Sequence, residues 1–291
     1  MARKFSLGYQ RDQGDYGYPS HRALIAALPA TLPKADHLSY RGAPIWQDGV
    51  GMCVGTAFKR CVQLWQAMNA AAGASMVSAK FAYDVGRAAQ YAGTDPDAAP
   101  ALQDWGSQPG LVLRAAREVG IALDSEYPDP ASPAWDPAAV NLRPLPDALT
   151  KAYDARGLEF YRVTPGYGGF KDAIRACMVR QHPVMFSMFV DTGVMQNSGA
   201  IVTAIFSGDP DGGGHMLTVL DASREDFAVI DNWWDHAPSG IDWGMPAGNL
   251  LGLPRGVWRI SWALLERAII QCFAVTGVPF GNRVIQGGIG R

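Results

Sequence analysis

Charge is scarce in this chain. Only 18% of its 291 residues are charged, with 27 acids against 25 bases and a formal net charge of −2. Charge this sparse, beside 48% apolar residues, is not the composition of a disordered chain. The near balance leaves no basic excess for a nucleic-acid backbone or an anionic membrane surface. No apolar run reaches the roughly 20 residues of a membrane span. Met1-Ala2-Arg3-Lys4 is basic, but no uninterrupted apolar stretch follows, so no secretory signal is read. Cysteine is sparse as well. Cys53, Cys61, Cys177 and Cys272 show neither metal-ligand nor disulfide-framework spacing. On one predicted helix, Cys53 and Cys61 stand about 12 Å apart along the axis, beyond disulfide reach. A reduced, cytosolic site of synthesis is expected. Internal repeats and low-complexity tracts are missing too.

The apolar content instead supports a substantial core, in two modest domains or one large one. Residues 1–43 read as an extended lead-in, punctuated by Gly8, Gly14, Gly17, Pro19, Pro29 and Pro33. Only Arg22 to Leu28 could make a short helix there, and the segment is expected to lie across the body of the fold. Residues 44–146 form a helical half. Gly51 to Ala72 is its central helix, followed by Ala79 to Tyr91 and by Gly110 to Val119, which Gly120 ends. Ser75-Met76-Val77-Ser78 offers a cap for the second helix. The proline-rich stretch from Pro128 to Pro146 reads as a crossover. Residues 147–265 form a half rich in strands, at Leu158 to Val163, Pro183 to Val190, His215 to Asp221, Phe227 to Asp231 and Gly256 to Ser261, with a helix at Phe170 to Gln181. Trp262 to Gln271 is a short helix. Residues 266–291 close the chain, with Phe273 to Arg291 read as a polar, glycine-rich tail without a core face.

Two places carry chemistry. The first is Gln47-Asp48-Gly49-Val50-Gly51-Met52-Cys53, a loop that runs into the central helix. A Cys at a helix N-terminus meets unpaired N–H groups and the positive end of the dipole, which favour its thiolate. Such a thiolate is a candidate nucleophile, although a lone buried Cys is more often inert packing. The Gln47 amide, on the loop, could donate to a developing oxyanion. The second place is a predicted hairpin. His215 opens one strand after Gly212-Gly213-Gly214, and Asn232-Trp233-Trp234 follows the other, with the turn at Ser223 to Asp226. The pairing brings His215 close to Asn232.

These residues resemble the papain-like cysteine peptidases, in a divergent form of bacterial or phage type. That family has a Gln six residues before its nucleophile, a Gly-x-Cys step and an Ala-Phe pair. Here these are Gln47, Gly51, Cys53, Ala57 and Phe58. Val50 and Val54 replace the usual Cys and Trp. The family's Gly-Ile…Tyr-Pro spacing reappears as Gly120-Ile121 and Tyr127-Pro128. Its Gly-Gly pair falls at Gly106-Ser107. His215-Met216, Asn232-Trp233-Trp234 and Gly256-Val257-Trp258-Arg259-Ile260 match its later motifs in order, with Trp233 in place of Ser. His215 precedes Asn232 by 17 residues, close to the family's spacing, and follows Cys53 by 162, slightly beyond the family's usual roughly 130–150.

The resemblance implies an α+β fold of two lobes, one helical and one an antiparallel sheet or barrel, with a cleft between. It implies thiol-dependent hydrolysis of peptide or related amide bonds through an acyl-enzyme. Cys53 would be the nucleophile, His215 the acid and base, Asn232 the orienting partner, and Gln47 an oxyanion donor. Gly106, Ser107, Met216 and Trp234 would meet the substrate or shield the site, and Met216 with Ser107 would narrow the pocket for the P2 side chain. No cofactor or metal is implied. The Asp95/Asp97 and Asp209/Asp211 pairs lack a calcium ladder, and His21, His37, His182 and His236 read as surface or core residues.

The expected partner is a peptide, cell-wall peptide included, with no nucleic acid and no membrane span. The rival reading is a weak or inactive papain-like module, kept as a structural or binding part of a larger assembly such as a phage particle. A virion-associated enzyme that cuts cell-wall peptide would reconcile the two.

Overall fold

The computed structural model describes residues 35–42, 45, 51–69, 76–90, 106–129, 146–165, 168–190, 201–202, 213–231, 253 and 256–278. The expected Arg22 to Leu28 helix, the Asp95/Asp97 and Asp209/Asp211 pairs, Gln47 and Asn232-Trp233-Trp234 lie outside these residues.

The central helix, α1, spans Cys53–Asn69. Apolar side chains leave it in more than one direction, and it is buried around most of its circumference. Cys53, Val54, Ala57, Phe58, Cys61 and Val62 join one apolar cluster with Met185, Met216, Phe273 and Val275 of the sheet. Leu64 joins another with Leu220, Val229 and Val257. Two cations interrupt this surface and are buried with acidic partners. Lys59 Nζ lies 2.7 Å from Asp129 Oδ2, and Arg60 Nε lies 2.7 Å from Asp231 Oδ2.

Helix α2 (Ala79–Gln90) starts at Ser78, whose Oγ accepts from Phe81 N at 2.9 Å. It crosses α1 where Gly55 leaves room. A Cβ on Gly55 would fall inside van der Waals contact with Ala79 O. Helix α3 (Pro109–Glu118) has Pro at its first turn. The chain leaves α3 through Val119 and Gly120, the latter at φ 115°, where only glycine sits without strain. Ile121 and Tyr127 beyond it are buried. Helix α4 (Pro146–Tyr153) was not evident in the sequence; it buries only Ala148 and Ala152.

Among the described residues the sheet has seven strands: β1 (Glu159–Arg162), β2 (Val184–Val190), β3 (Ile201–Val202), β4 (Gly213–Asp221), β5 (Phe227–Asp231), β6 (Val257–Ser261) and β7 (Ile269–Gly277). Their order is β1-β7-β2-β4-β5-β6-β3. All neighbours are antiparallel except the short β3–β6 pair. Among the described residues the sheet is open, with β1 and β3 at its edges, rather than closed into a barrel. Helices α5 (Gly169–Val179) and α6 (Trp262–Ala268) pack together and against β2. Glu266 of α6 caps α5, accepting from Phe170 N at 2.8 Å and Lys171 N at 2.6 Å. Together these elements give the expected α+β architecture.

Strand β7 corrects the expectation for the end of the chain. Helix α6 stops at Ala268, and Phe273 to Gly277, read as the start of a tail, instead belong to a strand between β1 and β2. Cys272 and Ala274 enter the cluster under α5 and α6, while Phe273 and Val275 enter the cluster under α1. A strand covered on both faces needs no apolar–polar alternation, so its periodicity does not reveal it.

Residues 35–42 do lie across the body, as expected of that part of the lead-in. Ala222 N donates to Ala35 O at 3.0 Å, and His37 N donates to Leu220 O at 2.7 Å. His37 is buried and its Nε2 donates to Met178 O at 2.9 Å. It is thus a core histidine held through Nε2.

Candidate active site

Cys53 is the first residue of α1 and is fully buried. The N-terminal turn ahead of it is held by Thr56, whose N and Oγ1 both donate to Met52 O, at 3.0 and 3.1 Å. The positive end of the helix dipole therefore falls at the thiol.

His215 stands near the start of β4, paired with Met188 of β2. It too is fully buried. The fold brings these two segments alongside each other. Helix α1 packs on β4, and Thr218 Oγ1 donates to Ala57 O at 3.4 Å. Met216, the residue after His215, shares the apolar cluster of Cys53, Val54 and Ala57. The pleat sends Met216 and Thr218 toward α1, and Leu217 and Val219 toward the cluster under α5 and α6. His215, opposite Met188 of that same cluster, falls on the latter face, so the strand does not aim it at Cys53. Met216 has 0% of its surface exposed, so in this structure it is packing beside the Cys53 helix.

The hairpin forms in the expected register region, with Thr218 opposite Asp231 and Val219 opposite Ile230. Asn232 follows Asp231 directly in the chain. Gly106 adopts φ 83°, a left-handed conformation that suits glycine. Its N–H donates to Tyr83 Oη at 3.2 Å, and the Arg87 guanidinium lies 4.2 Å over the Tyr83 ring. Arg87 in turn meets Asp84 at 2.8 Å, and Asp84 also receives Lys80 at 2.6 Å and the Tyr127 hydroxyl at 2.8 Å. A buried polar network thus stands behind the Gly106–Ser107 segment, and Ser107 is itself fully buried.

The other three thiols have no comparable setting. Burial pushes Cys61 up to about 12, only partly offset by a hydrogen bond with Thr218. Burial pushes Cys177 up to about 11 and raises Cys272 as well. Cys177 and His182 are neighbours, but the Tyr161 hydroxyl stands between them, 3.2 Å from Cys177 Sγ and 3.2 Å from His182 Nδ1. Burial and the nearby Arg180 push the His182 imidazole down. That group is neutral packing, not a thiolate–imidazolium pair.

Sequence reasoning did not find the ion cluster that joins this region. Asp231, at the end of β5, is fully buried and meets both Arg60 of α1 and Arg41 of the lead-in. Its signal was an arginine standing between the buried positions Phe58 and Cys61 of the helix.

No protein-family model matches the chain, and no curated protein does. Solved structures do. The fold matches xylellain, a cysteine protease from Xylella fastidiosa, with a TM-score of 0.68 over 95% of this chain and 97% of that one, at 18% identity. It matches procathepsin B from Trypanosoma congolense with a TM-score of 0.58, over 94% and 86%, at 16% identity. Bromelain from Ananas comosus, in complex with the E64 inhibitor, aligns with a TM-score of 0.54, over 86% and 99%, at 11% identity. The fold is therefore that of the papain-like cysteine peptidases, as the sequence motifs imply.

Proposed function

We propose that the protein hydrolyses peptide or related amide bonds through a thioester on Cys53. The observation that carries this reading is the position of Cys53 at the N-terminus of α1, within a fold shared with the papain-like cysteine peptidases. His215 lies one strand position from Met216, which meets the Cys53 cluster, and turns toward Cys53 when the pair forms. The Cys53 thiolate attacks the amide carbon. Its charge passes to the carbonyl oxygen, where the Cys53 N–H and the Gln47 side-chain amide donate. The His215 imidazolium gives its proton to the leaving amine as the C–N bond breaks. Water then attacks the thioester while His215 takes the water's proton, and the thiolate leaves with the acid as product. Asn232 holds the His215 tautomer, and Trp234 shields that bond. Gly106 and Ser107 make the neighbouring substrate-facing wall, whereas Met216, packed in the core cluster under α1, does not line the P2 pocket. Cell-wall peptide is within the proposed substrate class.

Cys53 and His215 both have 0% exposed surface, so turnover includes a step that uncovers the Cys53 sulfur. The same burial favours the second reading, a papain-like module without activity. Hydrolysis of a peptide amide that Gln47→Ala slows by ~10²–10³, or about 2.7–4 kcal/mol, separates the two. The rate is followed by amine release, and the fold by thermal unfolding. Activity unchanged in Gln47→Ala would remove Gln47 from the oxyanion hole, and no hydrolysis by the wild type would favour the module.

A further inference from the structure

The buried carboxylate of Asp231 joins three separate parts of the chain. Its Oδ2 receives Arg60 Nε at 2.7 Å. Its Oδ1 receives Arg41 Nε at 3.1 Å and lies 3.0 Å from Arg41 Nη2. Arg60 Nη1 also donates to Arg41 O and, at 3.1 Å, to Gln63 Oε1. Arg60 is seven residues into α1 from Cys53, two turns along the nucleophile helix, about 10 Å. Arg41 belongs to the segment that crosses the body beside the end of β4. Asp231 is the last residue of β5, paired with Thr218 on one side and Val257 on the other. The next residue is Asn232. All three charges are almost wholly inside, with Arg60 and Asp231 at 0% and Arg41 at 5% exposure. In so dry a setting, opposite charges hold each other far more rigidly than at a surface.

Burying such a cluster is a costly way to gain stability, since apolar side chains of similar volume do as well or better. Its geometry suggests another use. It fixes where the nucleophile helix stands relative to the strand end that leads into Asn232. We propose that Asp231 is a positioning residue. Through Arg60 and Arg41 it registers β5 against α1, and so sets where α1 holds Cys53 against the sheet that carries His215. The inference rests on the proposed hydrolytic reading.

The probe is iodoacetamide, with Cys53 identified by mass mapping. The readout is the Cys53 alkylation rate at pH 6 divided by that at pH 9.5. An ordinary thiol titrates near pH 8.5 and gives a ratio below about one hundredth, whereas an imidazolium-paired thiolate gives a ratio near one. The ratio cancels changes in folded fraction and in access, which a merely structural role would alter. Wild type is expected to stay within about threefold of one. Asp231→Asn is expected to lower the ratio at least about tenfold, toward the ordinary thiol value. Arg41→Gln keeps the Arg60–Asp231 pair and so serves if Asp231→Asn does not fold; a fall of at least about threefold is expected. A wild-type ratio below about one hundredth would mean that Cys53 has no imidazolium partner, and the hydrolytic reading would fall first. A wild-type ratio near one that stays unchanged in folded Asp231→Asn, or in Arg41→Gln where the former does not fold, overturns the inference alone.

Discussion

Replacing Cys53 by Ala is expected to abolish amide hydrolysis, with a loss on the order of 10⁵–10⁶ in kcat, the scale seen when a nucleophile that works as a unit with its base is removed. The fold should survive. Cys53 is fully buried, but truncation removes one sulfur atom, a cavity worth about 1–2 kcal/mol. Cys61→Ala is the matched control. It lies on the same helix, is equally buried, and burial holds its thiol up at about 12, protonated at any working pH. Its loss should cost similar stability and no more than about twofold in rate. Initial rates of amine release, alongside thermal unfolding of both variants, make the comparison. A Cys53→Ala protein with more than about a tenth of the wild-type rate would remove Cys53 from the chemistry.

The second large effect is structural and sits two residues further on. Gly55→Ala should lower the thermal midpoint and the rate together. The new Cβ would fall inside contact with Ala79 O and stand 3.2 Å from Tyr83 Cβ. Ala79 opens α2, and its carbonyl is backbone, so no side-chain rotation relieves the overlap. Alanine is the better helix former in isolation, by about 1 kcal/mol. Overpacking of this kind costs about 1–3 kcal/mol or more, so the clash decides the sign. Helix α1 must then move away from α2, and Cys53 moves with it. A displacement near 1 Å at a reacting centre costs about 10²-fold. A midpoint lower by roughly 5–10 °C is expected for a loss near 3 kcal/mol. Unchanged unfolding and unchanged activity would mean that the α1–α2 contact is looser than it stands here.

The parts of the fold that could be read in advance are those with a local signature. The α1 boundary follows from helical spacing after Gly51. Ser78 announces the start of α2, and the β4–β5 hairpin follows from two apolar runs around a polar turn. Strand β7 escaped because both of its faces are covered, which erases the alternation that marks a strand. Helix α4 escaped because two buried alanines make almost no periodic signal. The Arg41–Asp231–Arg60 cluster escaped for a different reason. Arg60 and Asp231 are 171 residues apart, and neither residue has a local feature that names the other. In a helix, an arginine ordinarily marks the solvent face. Here it marks a buried junction, and only the packing of α1 on the sheet reveals it. The candidate site shows the same division. Cys53 and His215 were legible as a helix start and a strand start, while the network of Tyr83, Arg87 and Asp84 behind Gly106 was not.

The fold also explains why the site can be built from such distant residues. One face of the sheet receives α1 and the other receives α5 and α6. Gly55 at the α1–α2 crossing and Asp231 at the end of β5 both bear on where α1 stands against the sheet.

The most direct measurement is mass mapping after treatment with an electrophilic peptidyl epoxide at pH 6, on the wild type and on His215→Ala. Such a reagent needs an ionised thiol within a surface that accepts a peptide backbone. The account predicts a single adduct, on Cys53, that His215→Ala suppresses. An adduct on Cys61, Cys177 or Cys272, or a Cys53 adduct formed equally well without His215, would contradict it.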